Sequence, residues 1–284
     1  MSPTDDERVA RFRVLRHQGG DSSHADDDVA IEEPLELRID GVPMLVTMRT
    51  PGDDVDLAVG LLVTEGIARS VHDVGGVTPC PGPDGASNVV RAVSAPGRTL
   101  VVPAARAHAA SSACGLCGKQ RIEDVRARIP RLDDPVRVAR RVIAGMPLAL
   151  RAAQRGFDAT GGLHAAGLFD ASGALSLVRE DVGRHNAVDK VIGALARRAA
   201  VEGAGLLDEA GRLEARGHVL FVSGRVGFEI VQKAAVARIP VIAAVSAPSS
   251  LAIELAEEVG VTLLGFVRGE AMNAYTHAWR IEDA

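Results

Sequence analysis

The most reactive pattern in the sequence is a pair of cysteines two residues apart. Cys114 and Cys117 lie in Cys114-Gly-Leu-Cys117-Gly-Lys119. A persulfide carrier needs a thiolate on an exposed loop, and Lys119 with the start of the helix predicted after it would favour that thiolate. A thioredoxin-like dithiol suits the pair about as well. A structural zinc site needs four ligands, which only Cys80 and scattered histidines could complete, so it ranks third.

A second pattern concentrates charge at a predicted strand-to-helix junction. Residues 179–190, Arg-Glu-Asp-Val-Gly-Arg-His-Asn-Ala-Val-Asp-Lys, carry seven ionisable side chains in twelve positions. Gly183 would allow a close backbone approach, so the segment suits an anion or a heterocycle. His185 fits a helix cap as well as an acid or base. His164 begins a strand, and we interpret it as a core histidine instead of a metal ligand.

Small and hydrogen-bonding residues follow three consecutive predicted strands. They are Ser223-Gly224-Arg225, the stretch 246–250 and the stretch 265–269, which contains Arg268. In open α/β sheets, ligands bind at the carboxyl ends of the strands, where backbone N–H groups and helix dipoles meet anions. Any one of these loops alone is more typical of an ordinary turn or cap. Three at adjacent strand ends predict a pocket for a phosphorylated ligand.

The elements that would position these groups follow from turn signals and hydrophobic spacing. Two hairpins are predicted, at 35–39 with 44–48 and at 163–169 with 175–178, and short strands at 75–102. Helices are predicted at 55–65, 120–129, 136–155 and 186–199. The end of the chain alternates strand, helix, strand, helix, strand at 219–222, 226–237, 241–245, 251–259 and 261–266. This alternation predicts parallel strands with crossover helices and an α/β class, α+β over the whole chain.

Composition limits the possible classes of protein. The chain has 284 residues, 47% of them apolar, and a formal charge of −5, which argues against nucleic-acid binding. No run of eighteen apolar residues and no signal-like start is present, so we expect a cytoplasmic protein without membrane contact. Residues 1–30 are expected to be a disordered tail, 31–134 a small α+β domain ending in the cysteine loop, and 135–284 an α/β domain. Only three of 32 basic residues are lysines, and Lys119, Lys190 and Lys233 all fall in the segments of interest.

In combination, these motifs resemble the FdhD family of formate dehydrogenase accessory sulfurtransferases, over roughly residues 33–278. The segments that carry the resemblance are 114–119, 180–190, 223–225, Glu229-Ile-Val-Gln-Lys233, 243–252, 265–270 and Tyr275-Thr-His277. The resemblance implies a cytidine-deaminase-like three-layer fold for the larger domain, and a homodimer. It also implies that a cysteine desulfurase donates sulfur, that the bis-(molybdopterin guanine dinucleotide) molybdenum cofactor receives it, and that formate dehydrogenase is the client.

The same resemblance assigns roles by position. Cys114 would carry the persulfide and Cys117 would assist it. Contacts to the guanine dinucleotide end of the cofactor would come from Phe266, Val267, Arg268, Gly269, Glu270 and Ala271. The strand-end pocket argued above adds Ser223, Gly224, Arg225 and His185 as predicted cofactor contacts. Val267 stands where some members have a third cysteine, and we expect no loss of transfer from it. A zinc deaminase is disfavoured because His164 is followed by Ala165-Ala166 instead of x-Glu. The alternative from another class is a non-catalytic cofactor chaperone, which would tolerate Cys114→Ser.

Overall fold

The computed structural model describes residues 7–81, 88–102, 129, 131–203 and 205–283. The cysteine pair, Lys119 and the helix predicted at 120–129 therefore lie outside the described residues, apart from Ile129. Within the described ranges, no helix is long and apolar enough to cross a membrane.

The N-terminal region forms a hairpin, so the expectation of a disordered tail was wrong for residues 9–30. Strands β1 (Val9–Gln18) and β2 (Asp21–Ala30) pair antiparallel around Gly19-Gly20, whose φ angles of 61° and 96° suit a tight turn. Arg11 bonds Asp28 at 2.8 Å across the strands. Low hydrophobic content predicted disorder for this region. The pairing is instead supported by opposite charges in register and by the glycine turn.

A four-stranded sheet follows, in the order β4-β3-β6-β5. Its strands are β3 (Glu33–Ile39), β4 (Val42–Arg49), β5 (Val74–Cys80) and β6 (Val89–Ser94), and the hairpin predicted around residues 40–43 is confirmed. Helix α1 (Asp54–Thr64) covers the sheet by burying Leu57 and Leu62 against Leu35 and Val90. The opposite side of α1 carries Val59 and Val63, which belong to the core of the larger sheet.

The larger sheet has six strands in the order β13-β12-β11-β10-β8-β9. Strands β10 (His218–Val222), β11 (Val241–Ala244) and β12 (Thr262–Arg268) are parallel, as predicted. Strands β8 (His164–Asp170), β9 (Leu175–Asp181) and β13 (Ala271–Thr276) pair antiparallel at the two sides. Two-residue strands β7 (Val138–Ala139) and β14 (Ile281–Glu282) form a separate bridge.

Helices cover both faces of this sheet because its central strands are apolar on both sides. Val219 and Phe221 of β10 face α2 (Arg140–Ala153), whereas Leu220 faces the opposite core. That core contains α4 (Arg184–Glu202), α5 (Phe228–Val236) and α6 (Ser250–Val259), and a short helix α3 (Arg155–Thr160) precedes β8. The predicted α/β class is confirmed. The closer likeness to cytidine deaminases and the boundary at residue 135 stay predictions.

The two sheets are joined where α1 crosses α4 at two glycines. A Cβ on Gly60 would overlap the carbonyl oxygen of Asp189, and a Cβ on Gly193 would overlap that of Asp56. The helix backbones therefore touch directly. Thr64 also donates a hydrogen bond of 2.7 Å to Asp189 across this contact.

Candidate functional site

The predicted strand-end loops lie along one edge of the larger sheet. The carboxyl ends of β10, β11 and β12 point the same way because these strands are parallel. The pairings Val222 with Ala166 and His164 with Asp181 bring the start of β8 and the end of β9 to that edge. The sequence segments 164, 181–185, 223–225, 246–250 and 266–271 are thus neighbours, and we call this arrangement the carboxyl edge.

The loop after β10 is fixed to β8. Ser223 donates its N–H to the Ala165 carbonyl at 3.0 Å, and its hydroxyl accepts the Ala165 N–H at 2.9 Å. Gly224 is buried against His164, since a Cβ there would lie 3.2 Å from the imidazole Nδ1. Arg225 is exposed, and within the described residues it forms no ion pair. The loop therefore presents the guanidinium of Arg225 on a backbone that is hydrogen-bonded to β8.

The turn after β12 presents an aromatic ring and a second cation. Phe266 has a left-handed φ of 54°, donates its N–H to the Ser246 carbonyl at 3.2 Å and leaves 41% of its surface exposed. Arg268, Gly269, Glu270 and Ala271 are exposed too. Val267 is instead fully buried against the α2 side of the sheet, so only its backbone could touch a ligand.

His185 lies in the first turn of α4 at the same edge and is neutral near pH 7. Burial, together with the charges of Arg184 and Lys233, lowers its pKa to about 4. Its Nδ1 lies 3.3 Å from a carboxylate oxygen of Glu229. Because burial and the cations outweigh nearby carboxylates, this contact joins a neutral ring to a carboxylate. The single N–H of the neutral ring then lies on Nδ1 and faces Glu229, which leaves Nε2 as a hydrogen-bond acceptor.

His164 lies at the carboxyl edge beside the Ser223 loop, which sequence reasoning did not foresee. Burial, and then the charge of Arg184, lowers its pKa from the usual range. Two neutral imidazoles therefore share one edge. The signal that could have found His164 is its place at the start of a strand antiparallel to β10, opposite the end of that strand.

Most charges of the 179–190 segment are used inside the protein. Lys190 is fully buried, lies 2.8 Å from Asp181 and donates to the Thr50 carbonyl at 2.9 Å. Glu180 accepts the N–H groups of Gly156 and Phe157, each at 2.8 Å. The predicted ligand segment is thus largely a buried connection, and His185 and Arg184 are its members at the edge.

Lys233 holds the other buried charge cluster. It lies 2.9 Å from Asp189 and 3.2 Å from Glu65, and it donates to the Thr64 hydroxyl at 3.1 Å. Burial opposes its charge, but Asp189 and Glu65 prevail and raise the pKa of Lys233. The lysines at 190 and 233 are thus compact buried ammonium groups, each with several partners.

The described residues contain neither a grouped set of metal ligands nor the two predicted nucleophiles. In the ranges that the structure describes, no three His, Cys, Asp or Glu side chains are grouped so as to hold a metal ion. Cys114 and Cys117 lie outside those ranges, and Cys80, at the end of β5, is a half-buried free thiol.

The carboxyl edge combines backbone turns, neutral imidazoles and cations that form no ion pair with any described residue. Such an edge is typical of an α/β protein that binds an anionic ligand. Comparison with known proteins makes the class specific. Residues 30–282 match the FdhD/NarQ family. The chain belongs to this family.

Relatives named sulfur carrier protein FdhD match nearly the whole chain. The protein from Streptomyces coelicolor is 48% identical over 279 residues, covering 95% of this chain and 95% of its own. The one from Anaeromyxobacter dehalogenans is 50% identical over 281 residues, covering 96% and 93%. A crystal structure assigned as a formate dehydrogenase accessory protein from Desulfotalea psychrophila shares the fold. Its TM-score is 0.74 at 23% identity, over 96% of this chain and 99% of that one.

Proposed function

We propose that this chain is a sulfur carrier needed for the activity of formate dehydrogenase. The observation that carries the proposal is the close similarity, over nearly the full length, to relatives named sulfur carrier protein. The fold it shares with a formate dehydrogenase accessory protein supports the choice of client. Cys114 and Cys117 supply the only closely spaced thiols in the sequence.

In the first step, the Cys114 thiolate attacks the outer sulfur of a persulfide on a cysteine desulfurase. A new sulfur–sulfur bond forms at Cys114, the old one breaks, and the desulfurase cysteine leaves as a thiolate. The chain then holds a persulfide on Cys114, with Cys117 assisting its release. This exchange needs no external oxidant or reductant, because the number of sulfur–sulfur bonds is unchanged.

The acceptor is the bis-(molybdopterin guanine dinucleotide) cofactor, bound as cargo at the carboxyl edge. Arg225 and Arg268 offer charge to its phosphates, and the exposed ring of Phe266 offers a surface for a guanine base. His185 offers the Nε2 of a neutral ring as a hydrogen-bond acceptor, because its single N–H faces Glu229. The residues present therefore fit a ligand that combines phosphates with flat heterocycles.

Mass spectrometry of the intact protein tests the sulfur-carrying step. The chain is incubated with a cysteine desulfurase and cysteine, and wild type is compared with Cys114→Ser and Cys80→Ser. We expect wild type and Cys80→Ser to gain one sulfur atom and Cys114→Ser to gain none. Sulfur uptake by Cys114→Ser equal to that of wild type would contradict the assignment of the acceptor.

A second assay separates the carrier from a non-catalytic chaperone of the cofactor. Formate dehydrogenase is produced in cells that contain either wild type or Cys114→Ser as the only copy of this chain. A carrier loses activation of the client in the variant, whereas a chaperone keeps it. We further propose that the protein acts in the cytoplasm as a homodimer, which sedimentation of the purified chain would test.

A further inference from the structure

At the carboxyl edge, one partly buried cation has a guanidinium nitrogen without a hydrogen-bond partner in the described part of the chain. Arg184 is the first residue of α4 and is intermediate in exposure. Its Nε is buried and has no hydrogen-bond partner among the residues that the structure describes. A guanidinium stays charged in proteins, so it cannot lower the cost of burial by losing its proton. Buried polar atoms are normally satisfied, and a buried donor left without an acceptor needs an explanation.

Three described carboxylates close to Arg184 in sequence or in space already have other partners. Asp181 pairs with Lys190 at 2.8 Å, Glu180 accepts two backbone N–H groups, and Glu229 lies against His185. The Asp181 carboxylate also accepts the Gly183 N–H at 2.8 Å, so it already occupies the first turn of α4. The group that calls for an anion is therefore the arginine side chain and not the helix terminus.

The position of Arg184 places it among groups that can bind an anion. A Cβ on Gly224 would lie 3.7 Å from the Arg184 Cβ and 3.2 Å from His164 Nδ1, so the stem of the arginine, the glycine turn and the imidazole adjoin. The guanidinium also lies close enough to lower the pKa values of both His164 and His185. The neutral His164 ring can donate one hydrogen bond beside the fixed positive charge, whereas the single N–H of His185 already faces Glu229.

We propose that Arg184, together with His164, forms a binding site for a phosphate group at the carboxyl edge. A planar guanidinium binds phosphate oxygens through two parallel N–H bonds, and the buried Nε becomes satisfied only when the anion is present. The inference deepens the proposed function, because the proposed cargo carries phosphates. It adds a half-buried contact to the two exposed cations of the same edge, Arg225 and Arg268.

Binding of inorganic pyrophosphate, measured by calorimetry on the full chain, tests this site. Arg184→Met keeps the stem and removes the charged fork, and it should weaken binding at least about tenfold, as expected for charge-assisted hydrogen bonds. Arg198→Met on the same helix, exposed and paired with Glu202, is the matched control and should bind as wild type does. Arg184→Lys keeps a charge without the fork and should bind with intermediate affinity.

Thermal unfolding without ligand distinguishes binding from a structural role. Because the Nε has no partner, Arg184→Met should keep or raise the unfolding temperature while binding is lost. An Arg184 that serves the fold would instead lower that temperature and leave binding intact, which overturns the proposal. The proposal is also overturned if Arg184→Met and Arg184→Lys both bind pyrophosphate as tightly as wild type does. It is overturned as well if wild type does not bind pyrophosphate.

The outcome is separable from that of the sulfur-carrier test. Pyrophosphate binding by wild type, lost in Arg184→Met, with no sulfur uptake from a desulfurase would reject the proposed function and keep this site. Sulfur uptake at Cys114 without any pyrophosphate binding would reject this site and keep the carrier.

Discussion

Substituting Gly193 by alanine should destabilise the protein through the contact between α1 and α4. The added Cβ would overlap the Asp56 carbonyl oxygen and lie 2.6 Å from the Gly60 nitrogen, so the helices must separate. Overpacking costs about 1–3 kcal/mol, and we take about 3 because backbone atoms cannot rotate away. Alanine's better helix propensity returns about 1 kcal/mol. The net loss in the free energy of unfolding is therefore about 2 kcal/mol.

Urea denaturation followed by circular dichroism measures this loss, and the chain contains its own control. Gly145 lies within α2, is exposed, and has no atom within 4 Å of a built Cβ. Gly145→Ala should therefore stabilise the protein by up to about 1 kcal/mol from propensity alone. Opposite signs at two helical glycines would support the close crossing. A Gly193→Ala variant as stable as wild type would refute it.

Two further predictions concern titration and buried charge. The folded-state pKa of His185, about 4, is below its unfolded value of 6.5, so the unfolded chain binds more protons in that window and stability falls as the pH drops through it. Urea midpoints at about pH 7 and about pH 5 should differ less in His185→Gln than in wild type, and an unchanged difference would count against the buried neutral ring. Lys233→Met removes the cation that pairs with Asp189 and Glu65. It should lower the free energy of unfolding, measured by urea denaturation, by about 3–5 kcal/mol. Adding Asp189→Leu to that variant should restore part of the loss, and a double variant less stable than Lys233→Met would contradict the ion-pair assignment.

Hydrophobic periodicity was enough to predict the three parallel strands of the larger sheet, although β13 and the pairing of β8 with β10 were not predicted. Strands β10, β11 and β12 are short apolar runs separated by helical patterns, and parallel pairing follows from that alternation. Once the strands are parallel, the loops at Ser223, Ser246 and Phe266 must share an edge. The common edge of these loops was therefore predictable from local patterns, and their role in binding a ligand stays a prediction.

The partners of the charged residues were not predictable in the same way. Lys190 pairs with Asp181 nearby but also bonds Thr50, which is 140 residues away along the chain. Nothing local distinguishes such a buried connection from an exposed ligand site, because both need several charges close together. Arg184 and His164 were missed as neighbours for the same reason: their proximity depends on the pairing of β8 with β10.

The contact between α1 and α4 also sets the order in which the chain can acquire its structure. Thr64 and Asp189 are 125 residues apart, and synthesis at the ribosome delivers the N-terminal partner first. Until α4 has emerged, the side of α1 that carries Val59 and Val63 has no cover. A nascent chain therefore exposes an apolar helix surface while nearly half of its length is being synthesised. Chaperones that bind nascent chains would find their binding surface there.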